Sequence, residues 1–299
     1  MSRLTIVENF RAVFYAPFYA LRAQGFAEEE GLDIEWIDGV APGNAVQALK
    51  QGTFDLTWGG PMRVMDDRDR NGEGADALLG FCQVVARDPF YLVAPRGAGA
   101  LDLRDVPHRR LAVVSEVPTP WLCLQADLAD AGVDVAALLT HQGQVTPMTM
   151  VEQEKALSAG AIDLAQLFEP YVSRAIAAQQ AQIAYAACAR GPTVYTTFIC
   201  TQAGMARNRD AFATLTRAMQ RTLTWMRTDP QAFEACVAPY FVDIASAHLR
   251  SALERYLRDQ VWAEDTAVSQ SGFARLADSL HRGGFIRSPA RRTACIHDF

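Results

Sequence analysis

Leu32-Asp33-Ile34-Glu35-Trp36-Ile37 alternates apolar and polar positions, the period of a strand with one buried face, and Leu4–Val7 reads as another strand. Between them, Pro17 to Gly25 reads as a helix with proline near its first turn and glycine at its end, and Glu28–Gly31 closes a short second helix. A further helix opens at Gly43-Asn44, carries apolar Ala45, Val46, Ala48 and Leu49, and stops at Gly52; Thr53–Thr57 then reads as a third strand. Strand, helix, strand, helix, strand, helix predicts a parallel sheet with right-handed crossovers. Such sheets bind ligands beyond the carboxyl ends of their strands, here Glu8–Tyr15, Asp38–Gly43 and Trp58–Arg63.

The third of these ends, Trp58-Gly59-Gly60-Pro61-Met62-Arg63, reads as a tight strand-to-helix turn, with Pro61 at the first helical position and the helix under way by Val64. The alternating charges of residues 66–76 read as a solvated loop or helix end. Leu78–Ala86 and Pro89–Ala94 read as strands, and Pro95-Arg96-Gly97 as a boundary. A second βα pattern follows: a helical turn at 101–106, a strand at Arg110–Val114, a proline-bearing loop at Ser115–Pro120 and a helix from Trp121 to Ala131. Apolar runs at 133–139 and 144–149 lead to a helix at Met150–Ala159, then Ile162–Phe168 runs into Glu169-Pro170-Tyr171. Thr193–Thr201 is the last strand. The remainder reads as helices at 208–228, 230–237, 246–256 and 266–282, with a loosely ordered tail at 291–294.

Composition narrows the function. The 299 residues are 50% hydrophobic and 21% charged, normal for a soluble globular chain of one large or two ordinary domains. A net charge of −6 argues against nucleic acid or an anionic membrane as partner. Lys50 and Lys155 are the only lysines, so few candidates exist for a Schiff base. Six cysteines without CxxC spacing and five dispersed histidines support neither a metal site nor a redox motif, and no cofactor is expected. No apolar run reaches the roughly 20 residues of a membrane span. Met1-Ser2-Arg3 leads directly into the first strand without a secretory leader, so the chain as written reads as cytoplasmic, or as one whose export signal has been removed.

Two segments repeat at the level of fold: Ala48-Leu49-Lys50-Gln51-Gly52-Thr53-Phe54-Asp55 and Ala156-Leu157-Ser158-Ala159-Gly160-Ala161-Ile162-Asp163. Together with Gly25–Ile34, Leu103-Arg104-Asp105-Val106 and the Glu169-Pro170 dipeptide, their order resembles the ABC-transporter substrate-binding proteins for nitrate, sulfonates, taurine and thiamine-pyrimidine precursors. The resemblance covers most of residues 4–290. It implies a type II periplasmic-binding-protein fold: two α/β domains, each a mixed, mostly parallel sheet flanked by helices, closing around a ligand by a hinge motion. The expected domains are 1–91 plus 200–299, and 92–199, joined by crossing strands at Phe90–Ala94 and Thr193–Thr201. It further implies a monomer, a periplasmic location if a leader was omitted, and an ABC permease as partner.

The same family includes enzymes. One branch makes the thiamine pyrimidine from pyridoxal phosphate with a histidine in the helix after the third strand and a cysteine-rich motif; here that place holds Met62-Arg63 and no cysteine cluster. A related aromatic sulfinate desulfinase uses a cysteine in the first loop, where this chain has Asn9-Phe10-Arg11-Ala12. Non-enzymatic delivery of a ligand is therefore the first reading. A cytoplasmic enzyme or sensor on the same fold is the second.

The candidate ligand contacts are Asn9, Phe10, Arg11, Tyr15, Trp58, Gly59, Gly60, Arg63, Pro118, Thr119, Trp121, Glu169 and Tyr171. Arg11 and Arg63 suit a carboxylate or sulfonate. Trp58 and Trp121 suit a flat ring, and core packing serves each equally. Tyr15 and Tyr171 offer hydroxyls or simply rings to pack. Glu169 accepts from an amine or caps a helix, and Thr119 offers a hydroxyl or an N-cap. The arginines and aromatic residues together predict a small ligand that is planar or anionic, such as a pyrimidine, sulfonate or aromatic acid.

Overall fold

The computed structural model describes residues 2–38, 44–99, 101–141 and 143–299. In chain order the first elements are β1 (Ser2–Val7), α1 (Ala16–Gln24), α2 (Phe26–Glu29), β2 (Leu32–Ile37), α3 (Asn44–Lys50), β3 (Leu56–Gly59), α4 (Met62–Asn71) and β4 (Leu78–Val85). Next come β5 (Tyr91–Pro95), β6 (Leu111–Val114), α5 (Thr119–Asp130), α6 (Val135–Thr140), β7 (Val145–Met148), α7 (Met150–Ser158), β8 (Leu164–Leu167), α8 (Tyr171–Ala177) and β9 (Ala181–Ala186). The chain ends with β10 (Thr196–Thr201), α9 (Gln202–Thr228), α10 (Pro230–Val237), α11 (Ser246–Arg258), α12 (Gln270–Arg282) and α13 (Arg292–Cys295). Among the described residues no helix is long and apolar enough to cross a membrane.

These elements form two mixed-sheet α/β domains of matching topology. One sheet runs β2-β1-β3-β10-β4 and the other β7-β6-β8-β5-β9. In the first, β1 pairs parallel with β2 and β3, while β10 lies antiparallel between β3 and β4. In the second, β6 pairs parallel with β7 and β8, while β5 lies antiparallel between β8 and β9. Each antiparallel strand arrives from the opposite domain, so the chain crosses twice, through 86–90 and 187–195. The two crossings run side by side: Thr193 N donates to Ala86 O at 2.7 Å and Ala187 N to Phe90 O at 3.1 Å. Much of 90–94 and of 193–201, read from sequence as the crossing strands, lies within the sheets as β5 and β10.

Several boundaries differ from the sequence reading. The third strand begins at Leu56, because Thr53–Asp55 is a turn after Gly52, whose φ of 72° is left-handed. Trp58 and Gly59 are therefore strand, with Trp58 opposite Phe198 of β10. Pro61 takes the N-cap position rather than the first helical one, and of the charged stretch 66–76, read as a solvated loop or helix end, residues 66–71 are the end of α4 and 72–76 lie beyond it. Polar contacts steady this helix end: Arg70 meets Asp66 one turn earlier at 2.6 Å, and Asp67 pairs with Lys50 at 2.5 Å and accepts from Leu78 N at 2.9 Å. Helix α8 and strand β9 have no counterpart in the sequence reading, since alanines and glutamines blur the apolar contrast there. The tail is anchored: Cys295 is buried, and Ile296 bridges to Gly80 of β4. The expected helix start at Gly43 and most of the strand end at Asp38–Gly43 lie outside the described residues.

Candidate functional site

A cavity of about 450 Å³ opens where the carboxyl ends of the parallel strands of both sheets face one another. The first domain contributes Asn9, Phe10, Phe14 and Tyr15 between β1 and α1, and Gly60, Met62 and Arg63 between β3 and α4. The second contributes Val114 to Thr119 apart from Ser115, between β6 and α5, with Met150 after β7 and Phe168 and Tyr171 after β8. Phe90 and Tyr195, one from each crossing segment, complete the lining.

The electrostatics favour negative charge. Arg63 is half-buried in the first turn of α4, and among the described residues nothing forms an ion pair or hydrogen bond with its guanidinium. Helices α1, α4 and α5 start at the cavity without a capping side chain, so their N-terminal N–H groups and dipoles are not neutralised by one. Helix α7, which also starts at the cavity, is capped by Thr149 and Glu152, and α6, α9, α10 and α12 carry Asp134, Thr201, Asp229 and Ser269 as caps. The one carboxylate among the described lining residues, Glu116, accepts from Met150 N at 2.9 Å at the start of α7. The Tyr15 phenol is raised well above its ordinary value by burial, against the downward pull of the nearby Arg63 charge, so it is a neutral hydroxyl.

The cavity thus brings together Asn9, Phe10, Tyr15, Gly60, Arg63, Pro118, Thr119 and Tyr171 from the sequence candidates. It does not include the other five, each for a visible reason. The Trp58 indole is 2% exposed and stacks flat on Phe18, with centroids 4.7 Å apart. Arg11 spends its guanidinium on Glu8, at 3.2 Å to each oxygen, and on Tyr240 O at 3.3 Å. Gly59 lies behind the wall, where an added Cβ would sit 3.4 Å from Asn9 Nδ2 and 3.6 Å from Arg63 Nε. Trp121 packs half-buried on the apolar cluster around Val106 and Leu124. Glu169 is 0% exposed, pairs with Arg255 Nε at 2.6 Å and accepts from Ser173 N at 3.0 Å. Burial raises its pKa while Arg255 pulls it down. Thr119 is in the lining, but it is the first residue of α5 after a Pro118 N-cap and makes no capping bond.

The lining residues absent from the sequence candidates fall into three groups. Phe14, Met62, Glu116 and Val117 neighbour candidates in the same loops, so the strand-end rule extends to them directly. Val114, Met150 and Phe168 sit at the ends of β6, β7 and β8, where the same rule applies. Phe90 and Tyr195 carry no local signal, because only the double crossing puts them at the cavity floor.

A family model described as "NMT1/THI5 like" matches residues 13–233. "Putative binding protein YtlA" of Bacillus subtilis (strain 168) is 20% identical over 95% of this chain and 84% of its own length. The periplasmic aliphatic sulphonate binding protein SsuA from Escherichia coli superposes with a TM-score of 0.80 at 14% identity, covering 99% of this chain and 92% of that one. The alkanesulfonate-binding protein SsuA from Xanthomonas axonopodis pv. citri, bound to MOPS, gives 0.71 at 14% identity, covering 100% and 99%. These structures share the periplasmic-binding-protein fold with this chain. Matched by the family model over most of its length, and along both domains by the fold, the chain belongs to the NMT1/THI5-like family.

Proposed function

We propose that this chain is the ligand-binding component of an ABC import system and holds a small organic anion between its domains, its acid group against Arg63. The observation that carries the reading is the Arg63 guanidinium: half-buried at the start of α4, in a cavity shared by both domains, without an ion-pair partner among the described residues. A charge in that position costs desolvation energy that a bound anion offsets. The uncapped N-termini of α1, α4 and α5 add to the same potential. Sulfonate binding by structural neighbours of the same fold supports an acid of this kind. The described lining holds no cysteine, histidine, lysine or serine, so its chemistry suits holding a ligand better than attacking one. Closure would hinge on the adjacent crossings at 86–90 and 187–195, and delivery to a permease would follow outside the cytoplasmic membrane.

Calorimetric titration with a panel of organic sulfonates and carboxylates tests this. Arg63→Ala is expected to weaken the best-binding anion at least tenfold, about 1.4 kcal/mol or more, without altering the circular dichroism spectrum. Equal affinity in the variant removes Arg63 from the site. Loss of uptake of that anion on deletion of the gene supports the import role, and unchanged uptake refutes it.

A further inference from the structure

Resting on the reading of an anion at Arg63, we propose that the ligand is a planar aromatic acid whose ring is gripped between Phe10 of the first domain and Phe168 and Tyr171 of the second. The cavity is built from aromatic rings already set in one continuous array. Phe10 meets Tyr15 edge to face at 5.1 Å between centroids, and Phe14 meets Tyr15 at 4.4 Å. Phe14 reaches across to Phe168 at 5.4 Å, interplanar angle 77°. Phe168 then meets Phe90 at 5.3 Å and Tyr171 at 5.6 Å. Phe14 and Phe90 are deep in the core, whereas Phe10, Phe168 and Tyr171 are only half-buried and sit on opposite walls. The guanidinium of Arg174 lies 4.4 Å from the Tyr171 ring centroid and helps hold that ring in place.

The half-buried rings present apolar surface that a guest can cover. A guest ring can continue the edge-to-face pattern with a partner from each domain, an interaction beyond simple area burial. A saturated chain of equal size covers the same surface, but adds no ring–ring term and loses rotamer freedom on binding. A cationic guest is disfavoured by Arg63 and by the helix N-termini, while Glu116 already receives Met150 N. The volume of about 450 Å³ is toward the lower end of small-molecule sites, which span about 300–1,000 Å³. It suits a compact aryl acid. Such a ligand touches both walls at once, so ring stacking and domain closure reinforce each other.

The test is calorimetry with pairs matched in acid group and size: benzoate against cyclohexanecarboxylate, and benzenesulfonate against hexanesulfonate, with naphthalene and decalin acids as the larger pair. The aromatic member of each binding pair is expected to be at least tenfold tighter. Phe168→Leu, and independently Phe10→Leu in the β1–α1 loop, should each lower aromatic affinity fivefold or more and leave the saturated partner within twofold. Saturated acids binding as tightly as aromatic ones, with Arg63 still required, overturn this proposal and leave the anion reading standing. Binding of either class that ignores Arg63→Ala overturns the anion reading instead. No binding by any aromatic acid overturns the aromatic proposal.

Discussion

Asp88 sits in the first crossing segment, fully enclosed, with its carboxylate 2.8 Å from Arg190 of the second crossing and accepting from Phe90 N at 3.0 Å. Arg190 also bonds Asp127 of α5, whose other donor is the Tyr185 hydroxyl at 2.8 Å. Two carboxylates, one enclosed and one partly buried, therefore share one guanidinium. Burial pushes Asp88 up from an ordinary 3.8 to about 6, with Arg190 opposing the rise. Between those values the folded state keeps a proton that the unfolded chain has released, so rising pH favours the unfolded state. The Asp88 contribution to stability is thus full below pH 3.8 and is lost as pH approaches 6, a change of up to about 3 kcal/mol. Urea unfolding of the wild type and Asp88→Asn at pH 4, 5, 6 and 7 isolates it. The wild-type stability minus that of the variant should fall over pH 4–6 and level off above. A difference that rises or stays flat contradicts the assignment. At this scale the sequence was only partly legible, because the residue types that grip ligands also build cores. Arg11 and Arg63 both follow a strand end, yet Glu8, three positions before Arg11, claims the first. That spacing was readable. The partners of Glu169 and Asp88, 86 and 102 positions away, were not.

The repeated Ala-Leu-x-x-Gly-x-x-Asp segments show what an element-level pattern encodes. In each, the helix ends in a left-handed glycine, Gly52 at φ 72° and Gly160 at φ 68°. The next N–H turns back to the helix, Thr53 to Ala48 O at 3.0 Å and Ala161 to Ala156 O at 2.9 Å. Each aspartate then holds the backbone at the sheet's first parallel strand: Asp55 accepts from Thr5 N at 2.9 Å, and Asp163 from Arg110 N at 2.8 Å. These carboxylates fix strand register on the side of the sheet opposite the cavity. Asp55 additionally accepts from Asn208 of α9 at 2.9 Å in a partly buried setting, whereas the Asp163–Arg110 pair faces solvent. Asp55→Ala should therefore cost about 2 kcal/mol and Asp163→Ala about 1 kcal/mol, by the penalty for stranding a backbone donor. Urea midpoints at unchanged slope measure both, and equal or reversed costs refute the ranking. The parallel-strand core was legible because apolar and polar positions contrast sharply there. Helix α8 and strand β9 were not, since segment 175–187 is mostly alanine and glutamine and neither period stands out.

The C-terminal helices decide how the two domains behave as a molecule. Helices α9 and α10 pack on the first domain, but α11 and α12 also reach the second from two sides. Arg255 of α11 pairs with Glu169, and Tyr256 accepts from Glu169 N at 3.0 Å while its hydroxyl donates to Pro89 O at 3.2 Å in the crossing segment. On the other side, Gly283 at the end of α12 lies against Leu122 of α5, so close that a Cβ there would come within 2.3 Å of Leu122 Cδ2. Arg282 pairs with Asp130 beside it at 2.8 Å. A buried ion pair on the α11 flank and apolar contact on the α12 flank couple the domains more strongly than a pair of exposed linkers would. Unfolding either domain alone would strand Glu169 or Asp88 without its cation, so the chain should unfold in one cooperative step. The tryptophans allow a clean reading, because Trp36, Trp58, Trp225 and Trp262 belong to the first domain and its attached helices and Trp121 alone lies in the second. In Trp121→Phe, fluorescence follows the first domain while far-ultraviolet circular dichroism follows both. The two urea curves should coincide, and a bound anion should raise their common midpoint together. Fluorescence that changes at a different urea concentration from the dichroism would mean that α11 and α12 do not bind the domains into one unit, and that the buried Glu169–Arg255 pair and the Gly283–Leu122 contact contribute little to holding the cavity walls in register.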